Sequence, residues 1–138
     1  MDLLTQIIDF ANSFVALTNE RADGKLDFSV ESLHVLDEIL DEAHQWVGKL
    51  SNKEIECLAI EAGCYIFEVA RKHFGGEYRW FDRFDQPILV TGQPEFEVAL
   101  HAVEKVKMRI NNGNVDSIPF FFNGYTLAVN RKKSALIV

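Results

Sequence analysis

Glu68 interrupts an apolar run, with Tyr65-Ile66-Phe67 before it and Val69-Ala70 after it. A carboxylate in such a stretch must find a partner or hold its proton more tightly. Arg71 and Lys72 follow at three and four residues, within pairing reach on a helix, and Arg79 or Trp80 could approach from a following strand. Glu68, Tyr65, Arg79 and Trp80 are thus candidates for a polar anchor in a cleft. The plainer reading is a solvated or locally paired glutamate on a helix face.

A second constellation is His34, Asp37, Asp41 and His44, at offsets of 0, 3, 7 and 10, which fall along one stripe of a helix. Strung over about 15 Å, four such ligands cannot reach one ion, so no metal is expected. With Glu38 and Glu42 the stripe instead makes a dense acidic face, on which Asp37, Glu38 and Asp41 are candidate contacts for a basic surface. Cys57 and Cys64 are the only cysteines. Seven helical residues hold them about 10 Å apart, too far for a disulfide, so both read as reduced core fillers. Cys64 has no basic neighbour to activate it. No Gly-x-Ser-x-Gly elbow occurs, and Gly75-Gly76 follows a helix where a phosphate loop would precede one, so neither a catalytic residue nor a cofactor is expected. Phe74, Tyr78, Trp80, Phe81 and Phe84 crowd into one short stretch with Arg79 and Arg83 interleaved. Such a set either covers a helix or leaves one or two rings free to bind.

The elements that must position these residues follow from periodicity. Leu3, Leu4, Ile7, Ile8, Ala11, Phe14, Val15 and Thr18 recur at helical spacing over 2–19, ahead of an Ala22-Asp23-Gly24 turn. A second helix is expected from an N-cap near Ser29 to about Val47, with Leu33, Leu36, Leu40, Ala43 and Val47 on its apolar stripe. The third spans 52–74, between a Ser51-Asn52-Lys53-Glu54 capping box and the Gly75-Gly76 stop. Its interior is apolar almost all round, as in a central helix, and Gly63 with Ala59 would admit a close neighbour. The period then drops to two, and 77–81 with 88–90 read as a hairpin joined through Asp82–Pro87. A fourth helix is expected over 95–111, opened by Pro94 and closed by Gly113. Asn123-Gly124 reads as the cap of a short helix over 117–122 or as the turn of a hairpin, and 125–129 with 135–138 as two antiparallel strands or one strand and a frayed tail. The fold class is α+β, with four to five helices on a small antiparallel sheet or hairpin, in a single domain over 1–138.

Of 138 residues, 48% are hydrophobic and 25% charged, which suits one globular domain able to fold without disulfide or metal. The net charge of −7 is unevenly spread: residues 1–70 hold 14 acids against 4 bases, and residues 71–138 hold 7 against 10. An acidic surface repels phosphate backbones, so no nucleic acid is expected as partner, and a basic protein surface is the natural complement. No apolar run reaches the length of a membrane span and the first residues lack a basic, cleavable leader, so the expected place is the cytoplasm, with no membrane partner.

Three stretches, Leu26 to Leu33 with Leu36-Asp37, Ala62 to Val69, and Asn112 to Ile118, resemble a family of small uncharacterised bacterial proteins over roughly residues 26–124. The resemblance implies a central helix with a Gly-x-Tyr-x-x-Glu pattern, a Gly-Gly turn and an aromatic strand, matched here by Gly63, Tyr65, Glu68, Gly75, Gly76 and Trp80. It implies a small residue where Phe67 stands, and no activity.

Two functions are then expected. The first is a non-enzymatic protein-binding module that engages a basic partner through the acidic face, the aromatic hairpin or both; its charge is like that of bacterial immunity proteins, which neutralise basic toxin domains. The alternative is a small-molecule or enzymatic pocket between the central helix (52–74) and the hairpin (77–91), organised by Glu68, Tyr65, Arg79 and Trp80. The oligomeric state, a homodimer included, is left open.

Overall fold

The computed structural model describes residues 2–138. Helix α1 (Leu3–Ala22) starts where the Asp2 carboxylate accepts the Thr5 N–H and stops at Asp23, which takes the left-handed conformation. Helix α2 (Ser32–Gln45) has Glu31 at its N-cap, two residues beyond the expected Ser29. Ser29 still serves its start, since its hydroxyl accepts the Ser32 N–H. Helix α3 (Asn52–Phe74) has the expected bounds, and both halves of its capping box form: Ser51 Oγ accepts the Glu54 N–H and Glu54 accepts the Ser51 N–H. Ile66 at its centre is fully buried.

Strands β1 (Glu77–Phe81) and β2 (Gln86–Thr91) form the expected antiparallel hairpin. The next segment departs from expectation. The single helix over 95–111 is instead β3 (Val98–Leu100) followed by α4 (Ala102–Asn112). Phe96, Ala99 and Leu100 have helical spacing, but Val98, Ala99 and Leu100 are all buried, the signature of a strand covered on both faces. The end of the chain differs too. A short helix and a strand are replaced by one helix, α5 (Ile118–Asn130), because Ile118, Phe121, Phe122 and Tyr125 form a buried stripe that runs straight through Asn123-Gly124. Strand β4 (Ala135–Ile137) then pairs parallel with β3. Parallel neighbours need a crossover, which α4 and α5 supply.

The sheet order is β1-β2-β3-β4. Tyr78, Leu89, Val98 and Leu100 face the helices and join their core, whereas Ile88, Val90 and Ala99 cluster with Phe81 on the other face. Helix α3 lies centrally between α1 and α4. Gly63 makes the α4 crossing close, since a Cβ there would meet the Val103 Cγ2 at 2.9 Å and its Cα at 3.0 Å. Phe67 is accommodated, fully buried and edge-on to Tyr78. Among the described residues no helix is long and apolar enough to cross a membrane.

Candidate binding groove

Strand alternation separates the residues grouped around the aromatic hairpin. Trp80 shares the helix-side face of β1 with Tyr78, and Arg79 takes the opposite face, where it donates to Gln93 Oε1 at 2.7 Å and lies near Glu77. Tyr65 is fully buried on another side of α3; its hydroxyl accepts the Phe28 N–H at 2.9 Å, lies 2.6 Å from Ser32 Oγ, and its ring stacks on Phe28. Tyr65 therefore fixes the entry to α2. Glu68 is 2% exposed and its carboxylate takes two bonds from Arg71, at 2.7 and 2.9 Å, and one from the Tyr78 hydroxyl at 2.8 Å. Burial opposes its ionisation, but the Arg71 and Tyr78 bonds outweigh burial and hold the carboxyl below its ordinary range. The expected cluster of four does not assemble: Glu68 and Tyr65 are internal ties, Arg79 is on the far face, and Trp80 alone faces an open space.

The acidic face of α2 is also partly spent inside. Arg109, 1% exposed, donates from Nε to Asp37 at 2.9 Å and from Nη2 to Asp41 at 3.1 Å, and Asp37 also accepts the Ile118 N–H. Asp37 and Asp41 are thus a clamp that joins α2 to α4 and α5, and Glu38 remains exposed. His44 donates from Nδ1 to the Ile110 carbonyl at 2.7 Å. Arg109 looks in the sequence like a base at a helix end; its i, i+4 relation to Lys105, itself buried against Asp116 at 2.9 Å, was the signal for an inward polar edge.

The space beside Trp80 is a groove of about 380 Å³ between α1, α3, the hairpin turn and α4. Leu3, Ile7 and Phe10 line it from α1 at helical spacing, Ile60 and Cys64 from α3, and Trp80 with Phe84 from the hairpin. Trp80 is 50% exposed and Phe10, Phe84, Leu4 and Ile60 are also exposed. Phe10 and Ile60 stand off the core-facing stripes of their helices, which is the sequence mark of an apolar residue with a surface task. Glu56 and Asp85 lie on the rim beside Lys107, which Glu56 pairs at 3.3 Å, and Asp9 stands next to Phe10 along α1. Cys64 is the one thiol in the groove; burial and then Glu68 push its pKa up to about 12, so it stays protonated. Cys57, expected in the core, faces solvent. Among the described residues no three His, Cys, Asp or Glu side chains converge as a metal site.

Behind Phe84, at the junction of β3 and α4, His101 is 2% exposed and neither ring nitrogen has a hydrogen-bond partner. It meets Phe81 and Phe84 edge to face, with centroids 4.8 and 5.7 Å away. Nothing around it in the sequence marks it. Comparison of the chain with family models, curated proteins and solved structures finds no match.

Proposed function

We propose that this chain is a non-enzymatic binding module whose groove docks a protein partner with a basic, amphipathic surface. The carrying observation is the union of exposed apolar side chains, Trp80, Phe84, Phe10 and Ile60, around one concave space with Asp85 and Asp9 at or beside its edge, where Glu56 is paired with Lys107. Clustered aromatic and aliphatic residues in a groove supply the energy of docking, and rim acids choose the sign of the partner. This reading keeps the aromatic hairpin and the basic partner expected from the sequence, and moves the contact from the α2 face to the groove.

A second reading is favoured by size. A volume of about 380 Å³ falls in the range of roughly 300–1,000 Å³ usual for small-ligand sites, so a small apolar molecule with a cationic head would fit the same chemistry. Trp80 reports on both. In a Trp46→Phe background, a cationic amphipathic peptide of leucines and lysines should shift Trp80 emission saturably, and its glutamate counterpart should bind at least about tenfold more weakly. Trp80→Ala should abolish binding of the cationic peptide measured calorimetrically. Absence of a saturable shift with the peptide, together with saturable binding of a small cationic amphiphile, would select the second reading.

A further inference from the structure

We propose that His101 makes the groove acid-sensitive: when its ring takes up a proton, the Phe84 wall and the β1–β2 turn come loose and docking weakens. This rests on the groove being the docking site. A neutral imidazole carries one N–H and one lone pair, and both are buried here without partners between Phe81 and Phe84. Adding a proton from solvent gives a cation with two N–H donors in the same apolar enclosure. Each unmade hydrogen bond of a buried group carries a desolvation cost, and a larger one when the group is charged. A phenyl face attracts a cation, but two phenyl rings supply neither imidazolium N–H with a hydrogen-bond acceptor.

Among the described residues, one carboxylate acts on the ring. On α4, Glu104 is the charged group that acts on His101, and it already accepts from Gln86 Nε2 at 2.7 Å. Lys105, the next base on α4, is committed to Asp116. Phe81 and Phe84 are uncharged, and the turn's own ionisable groups, Asp82, Arg83 and Asp85, are exposed. From β4, the Ile137 carbonyl accepts the His101 backbone N–H at 2.9 Å. Relief can therefore come in two ways. Glu104 turns to the imidazolium and releases Gln86, or water enters past Phe84. Both break the hold of α4 on residues 82–87, and Phe84, 40% exposed, is a wall of the groove. Burial lowers the His101 pKa, partly offset by Glu104, so the transition lies below the ordinary histidine value of 6.5. The sign follows: with the folded value depressed, the closed wall is fully stable above about 6.5 and is lost as the pH falls through the folded value.

The test compares amide-exchange protection of residues 82–87 in the wild type, His101→Phe and His101→Gln between pH about 7.5 and about 5, where histidines titrate. The expected result is a fall of about tenfold or more in wild-type protection, with both variants flat. His34, His44 and His73 remain in the variants and control for other histidines. A fall equal in all three proteins, or none in the wild type, overturns the proposal. The cationic peptide should likewise bind wild type about tenfold more weakly at the lower pH and the variants unchanged. If the peptide does not bind even at pH about 7.5, the docking reading fails, while the protection factors still decide whether the wall responds to the proton.

Discussion

Glu68 and Glu61 stand two helical turns apart on α3 and experience opposite environments. Glu68 holds Arg71 and the Tyr78 hydroxyl, whereas burial alone acts on Glu61 and raises its pKa. Removing the Glu68 carboxylate leaves the half-buried Tyr78 phenol and the Arg71 guanidinium without their acceptor, so Glu68→Ala should cost about 1–3 kcal/mol. Glu61→Ala should change stability by less than about 0.5 kcal/mol. Urea titrations of the two variants decide it, and equal small shifts would show that the Glu68 network is dispensable. The pH dependence has a definite sign. The folded pKa of Glu68 lies below the ordinary 4.5, so its stabilisation is complete above that value and is lost as the pH falls through the folded value. The gap between wild type and Glu68→Ala should therefore narrow as the pH falls below about 4.5. That Glu68 needs a partner was legible from its apolar neighbours; that Tyr78, rather than Arg79, reaches it was not, because which face of β1 turns inward depends on register.

The central helix was fully legible because both of its ends carry local chemistry, a capping box and a glycine stop, and neither depends on the rest of the fold. Residues 95–101 were misread because a three-residue strand is too short to show a period, and its place is fixed by β2 and β4, which lie elsewhere in the chain. The Asn123-Gly124 pair is a turn signal by composition, yet the aromatic stripe from Ile118 to Tyr125 overrides it. The two helical glycines therefore make a paired prediction. Gly63→Ala pushes a methyl into the Val103 backbone at the α3–α4 crossing and should destabilise by about 1–3 kcal/mol. Gly124→Ala meets nothing within 4 Å and should stabilise α5 by up to about 1 kcal/mol. Thermal melts of both check the pair; a neutral Gly63→Ala would mean that α4 can slide away from α3 at little cost.

At the scale of the molecule, the uneven charge along the sequence turns into a division between interior and surface. Arg71, Lys105 and Arg109, from the basic half, are consumed by Glu68, Asp116, Asp37 and Asp41, and so tie that half to the core. Acids such as Asp9, Glu38 and Glu56 remain at the surface. Three substitutions that reverse charge by the same amount should therefore behave differently. Asp37→Lys faces the buried Arg109 with a second cation and should destabilise the fold by about 3 kcal/mol or more. Asp9→Lys, exposed beside Phe10, should leave the melting temperature nearly unchanged and weaken the cationic peptide about three- to tenfold, an effect that shrinks as salt rises from about 0.05 to about 0.5 M. Glu38→Lys, exposed on α2 away from the groove residues, should alter neither stability nor binding beyond what its contribution to net charge brings. Titration calorimetry beside thermal melts separates the three. Were Glu38→Lys to weaken the peptide more than Asp9→Lys, the basic partner would be meeting the α2 face, and Trp80 and Phe84 would need another occupant.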